Sequence, residues 1–95
     1  MKNLIVSAGV IAKLREKHGV TEREVEQCFE NKCGMYLLDD REDHRTDPPT
    51  LWFLAPTNED RLLKVVFMFV EGNVHIKSAF VPEQAAIDFY EKHGK

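Results

Sequence analysis

The chain has 95 residues, 43% hydrophobic and 31% charged, with a formal net charge of −3 at pH 7. That is the size of one domain, residues 1–95, with a modest core, and the composition excludes a disordered tail, a collagen-like repeat and a disulfide-built miniprotein. The acidity is local: between residues 34 and 60 the chain sets Asp39, Asp40, Glu42, Asp43, Asp47, Glu59 and Asp60 against only Arg41 and Arg45. Such a balance argues against broad nonspecific nucleic-acid affinity, which feeds on phosphate neutralisation, yet leaves room for one small basic site.

In chain order, Asn3 to Val6 reads as a short strand. Ser7 caps a helix that runs to about His18, with Val10, Ile11 and Leu14 on one stripe, and Gly19 supplies the left-handed residue that ends it. Thr21 and Glu24 have the spacing of a capping box, flanked by Val20 and Val25 as a hydrophobic staple. Val25, Cys28 and Phe29 form the buried face of this second helix, which stops before Gly34. The two make a helical hairpin. Beyond Gly34 the apolar period changes to two. Met35–Leu38 is a strand and Asp39–Pro49 a charged loop. Leu51–Ala55 is the next strand, followed by a turn over Pro56–Asp60. Arg61–Val70 and Val74–Phe80 are long strands joined by a tight turn at Glu71-Gly72. Pro82 opens a last helix carrying Ala86, Phe89 and Tyr90. The expected fold is α+β: an antiparallel, four- to five-stranded meander sheet, with the helical hairpin and the C-terminal helix packed on one face.

No apolar run reaches the roughly 20 residues of a membrane helix. The start, Met1 to Ala12, lacks the long apolar centre of a signal peptide, so a cytoplasmic, bacterial-type protein is expected. Cys28 and Cys33 have no second pair to complete a zinc site, and Cys28 reads as a buried reduced thiol. There is no Gly-rich phosphate loop, nucleophile elbow or HExxH pair, and neither metal nor cofactor is expected. The acidic loop lacks the glycine and regular ligand spacing of a calcium site. His18 complements the helix dipole at the end of its helix. Asp43 and His44 form either a proton-transfer pair or, with Arg45, solvated salt bridges.

One register inference carries the chemistry. A two-residue loop at Glu71-Gly72 pairs Phe69 with Val74, Phe67 with Ile76, Val65 with Ser78 and Leu63 with Phe80, all on the core face. Lys64, His75 and Lys77 then share the other face, with Arg61 near the strand's start. A cationic sheet face can hold a phosphate, and a lysine or histidine beside a ribose 2′-hydroxyl promotes cleavage. Ordinary solvated lysines on an exposed face are the plainer reading.

Through Lys17-His18-Gly19-Val20 and the capped helix to Phe29, the chain resembles the BrnT-type toxins, small ribonucleases of the RelE/ParE-like fold encoded beside an antitoxin. The likeness continues through Asp43-His44, Arg61-Leu62-Leu63, Val65-Val66, Ile76, Ser78-Ala79 and Tyr90, in short motifs covering most of the chain. It implies a toxin-like domain that cleaves RNA without a metal and is silenced by an antitoxin protein. His75, Lys77 and Lys64 are then the candidate catalytic groups, and Arg61, His44 and Arg45 the substrate-binding ones. The family tends to carry arginines where His75 and Phe80 stand, and a phenyl ring at Phe80 removes a bidentate phosphate donor. Two outcomes are open: a basic site rebuilt around Lys64, His75 and Lys77, or a noncatalytic protein-interaction domain on the same fold. Chains of this Asp47-Pro48-Pro49 type also attract an ADP-ribosyl-dinitrogen-reductase hydrolase description, for which the residues offer no macrodomain phosphate loop and no dimetal site. Both a monomer and a homodimer fit the sequence.

Overall fold

A computed structural model describes residues 3–39 and 48–95. Strand β1 (Leu4–Ile5) leads into α1 (Ala8–Lys13), opened by Ser7, whose Oγ accepts the Val10 N–H at 3.2 Å. The helix runs on through a wider π-helical stretch, Leu14–His18. It stops at Gly19, whose φ of +61° suits a residue without a Cβ. The Gly19 and Val20 amides turn back onto Arg15 O and Leu14 O, so the last carbonyls are satisfied.

Helix α2 (Glu22–Asn31) starts with the expected capping box. Thr21 Oγ1 accepts the Glu24 amide at 3.2 Å, and Glu24 Oε1 accepts the Thr21 amide at 3.0 Å. The sheet contains β2 (Leu37–Leu38), β3 (Thr50–Pro56), β4 (Leu62–Val70) and β5 (Asn73–Phe80), and α3 (Gln84–His93) closes the chain. Its strand order is β1-β5-β4-β3-β2, antiparallel except where β1 runs parallel to β5. The α+β class and the meander from β2 to β5 are as expected, and β1 makes the sheet mixed.

Strand β2 is shorter than its alternation suggests because α3 takes its first residues. The Met35 amide donates to Gly94 O at 2.6 Å, and Met35 O accepts the Tyr90 hydroxyl at 2.7 Å. A Cβ on Gly94 would lie 2.5 Å from the Tyr90 ring, so this close approach requires glycine. Where β2 no longer covers β3, side chains do. Cys28 Sγ donates to Ala55 O at 3.5 Å and Asn31 Nδ2 to Pro56 O at 3.0 Å, which blunts the sheet edge.

The helices divide between the two faces of the sheet rather than sharing one. Trp52 and Phe53 are neighbours on β3 and point to opposite sides; both are buried. The Phe53 ring lies 4.8 Å from Phe29 of α2, and the Trp52 ring 5.7 Å from Tyr90 of α3. Both faces of β3 are apolar, so each needs a cover. The core between α1–α2 and the sheet holds Leu14, Val20, Val25, Cys28, Leu63, Val65 and Phe67, and each large side chain withdrawn there contributes about 1.5–3 kcal/mol.

The β4–β5 hairpin begins as expected. Glu71 and Gly72 both have positive φ (53° and 81°), and Phe69 pairs with Val74 and Phe67 with Ile76. A β-bulge then shifts the register between Val66 and Phe67. Val66 pairs with Ser78, Val65 with Ala79 and Lys64 with Phe80, which leaves Lys77 as the unpaired extra residue. The expected pairs Val65–Ser78 and Leu63–Phe80 are therefore replaced. The bulge buries Ala79 beside Val65 and moves Phe80 to the other face. Among the described residues no helix is long and apolar enough to cross a membrane.

Candidate functional site

The structure places the expected site residues apart. Lys64 lies on the α3 side of the sheet, its Nζ 4.5 Å from the centre of the Trp52 ring and 5.8 Å from that of Phe80. An ammonium over an indole face contributes about 0.5–2 kcal/mol, the more so when shielded from water. His75 is on the same face, but it pairs with Met68 while Lys64 pairs with Phe80. At roughly 3.3 Å per residue that separates their backbones by about 13 Å along the strand. Lys77 sits exposed in the bulge, and its carbonyl accepts the Lys13 ammonium at 2.8 Å.

Arg61 is engaged within the protein. Its Nη1 donates to Gly19 O at 2.8 Å and Nη2 to His18 O at 3.0 Å, and Nη1 lies 3.3 Å from Glu24 Oε2. The guanidinium thus ties the start of β4 to the junction between the first two helices. His44 and Arg45, with Asp43, lie outside the described residues. Among the described residues no three His, Cys, Asp or Glu side chains gather closely enough to hold a metal ion.

What the face does form is a cleft of about 600 Å³ between α3 and the β2–β3–β4 side of the sheet. Trp52, Leu37 and Tyr36 line its sheet side and Phe89 and His93 its helix side, with Lys64 alongside Trp52. Ala85 and Ala86 present only methyl groups from α3, so the helix does not fill the gap. The Phe89 and His93 rings lie 4.5 Å apart, and Phe89 is 6.1 Å from Trp52. Asp39 lines the cleft where β2 ends, held there by its amide on Thr50 O at 2.8 Å. At the rim Leu38 is 60% exposed and Phe89 50%.

No known protein family matches this chain, and neither does any curated protein. The site therefore has to be read from its own groups. Sequence reasoning missed the cleft. The signal was the adjacent pair Trp52-Phe53: a strand with bulky apolar residues on both faces needs two covers, and Phe89 and Tyr90 are the aromatic pair that supplies the second.

Other titratable groups are buried for packing. Burial pushes the Cys28 thiol up to about 12, helped by the nearby Glu24 charge and opposed by Arg61. A thiol held that firmly protonated is a poor nucleophile. Burial also raises Tyr90, whose hydroxyl is committed to Met35 O, and Tyr36.

Proposed function

We propose that this chain works as a noncatalytic binding domain whose cleft between α3 and the sheet receives an apolar side chain of a partner protein. One observation carries the reading: an aromatic-walled space of about 600 Å³ opens beside the exposed Phe89 and Leu38. Its size falls within the ~300–1,000 Å³ usual for ligand pockets. Its walls are mostly hydrocarbon, with a few polar groups to orient what enters. Exposed aromatic and aliphatic residues around a pocket are the typical anchors of recognition surfaces.

The alternative from the family resemblance, metal-independent RNA cleavage, needs a proton-transfer group and a phosphate clamp within contact of one ribose phosphate. Lys64 stacked on Trp52, His75 about 13 Å further along the strand and Arg61 bound to two carbonyls do not meet that demand as a set. The binding reading uses groups that are already together.

Panning a phage-displayed peptide library on the wild-type chain and on Phe89→Glu tests the reading, with RNA incubated beside each protein between pH 5 and 9. The expected result is enrichment of apolar peptides on the wild type, its loss in Phe89→Glu, and intact RNA. Enrichment indifferent to Phe89, or RNA cleavage abolished by His75→Ala or Lys64→Ala, overturns it.

A further inference from the structure

The cleft is not purely apolar, and its charges have a definite arrangement. The Lys64 ammonium is half-buried and lies against two aromatic rings, Trp52 at 4.5 Å and Phe80 at 5.8 Å. Those contacts hold the charge beside the floor of the cleft, where a surface lysine would swing free. Across the opening His93 packs on Phe89 and brings an imidazole to that wall. Among the described residues, the carboxylate that lines the cleft is that of Asp39, at the far end of β2. An ammonium and an imidazole thus flank an aromatic floor in a chain whose net charge is −3. An anionic group meets repulsion over most of this protein and attraction here.

Resting on the binding reading above, we infer that the cleft selects a partner segment in which an aromatic or leucine side chain adjoins an aspartate or glutamate. The apolar group enters against Trp52 and Phe89, and the carboxylate reaches Lys64. Rings shield the ammonium on one side, so a carboxylate displaces less water from it than from a fully hydrated lysine, and a charge-assisted hydrogen bond forms in a partly dry site.

Trp52 is the only tryptophan of the chain, so its fluorescence reports directly on occupancy. The probes are the peptide acetyl-Leu-Phe-Glu-Leu-amide, its Gln counterpart, and the free acid 3-phenylpropionate. The Glu peptide should bind about tenfold more tightly than the Gln peptide, the scale of one charge-assisted contact. That preference should vanish in Lys64→Met while the Gln peptide keeps its affinity. In the unmodified protein the preference should also shrink at 1 M NaCl, a readout that needs no variant. Equal affinity for the Glu and Gln peptides overturns the charge selection and leaves the cleft reading standing. No fluorescence change with any probe up to millimolar concentration overturns both. Tighter binding of 3-phenylpropionate than of the Glu peptide assigns the site to a small free acid and overturns the protein segment as its source.

Discussion

Replacing Arg61 by alanine separates a structural role from a substrate-binding one. The side chain is 35% exposed and makes two charged N–H···O=C bonds to residues more than 40 positions earlier, at 2.8 and 3.0 Å, plus the 3.3 Å contact to Glu24. A buried hydrogen bond to a charged group contributes about 1.5–3 kcal/mol. Partial exposure lets water replace the lost donors, so about 1 kcal/mol for each carbonyl is the reasonable scale. The ion pair adds at most roughly 0.5 kcal/mol. Arg61→Ala should therefore cost about 2 kcal/mol, or on the order of 10 °C in Tm for a domain of this size. Urea unfolding followed by Trp52 fluorescence measures it, with the midpoint falling and the slope unchanged. Arg61→Lys should recover less than half of the loss, because one ammonium does not reproduce the fork that spans both carbonyls. The Glu24→Gln cycle should return a coupling below about 1 kcal/mol. A loss under about 0.5 kcal/mol would refute the clamp and return Arg61 to the pool of surface cations.

Two glycines should fail for different reasons. At Gly19, where φ is +61° and nothing lies within 4 Å of the place an added methyl group would take, alanine brings only backbone strain of about 1 kcal/mol. At Gly94 the added Cβ meets the Tyr90 ring at 2.5 Å, and about 2 kcal/mol of overpacking is expected; urea midpoints in the reverse order would contradict this assignment. Cysteine alkylation by iodoacetamide at pH 8 should label the exposed Cys33 and spare the buried Cys28, giving one adduct by mass spectrometry in the folded protein and two after denaturation. The raised Cys28 pKa also has a sign. The folded state keeps a proton that the unfolded state loses above about 9, so the thiol's contribution to stability is full below that pH and declines as the pH rises toward about 12. A Cys28→Ala variant should lose that alkaline slope, and an unchanged slope would show that it arises elsewhere.

Local elements were legible because their signals lie within a few residues. The Thr21–Glu24 box, the left-handed Gly19 and the Glu71-Gly72 turn stand where their chemistry demands. The sheet strands followed from alternation, and the short β2 did not, because the Met35 backbone groups belong to α3, about sixty residues away. The candidate site fared worse. Lys64, His75 and Lys77 share a face only if β4 and β5 stay in step. The bulge breaks that step at Lys77, between Ile76 and Ser78, where a strand of mixed polarity gives no mark of an extra residue.

Composition and short-range pattern were enough to determine the class of fold, the helix ends and the turn that starts the long hairpin, since each depends on the conformational preferences of two to five neighbouring residues. Tertiary structure alone decided that α3 covers the second face, that Arg61 spends its donors on the helical junction, and that Lys64 rests on Trp52 beside an open cleft. Those outcomes join residues distant in the chain, and they are chosen by which arrangement buries both faces of β3 while leaving the fewest backbone groups without a partner.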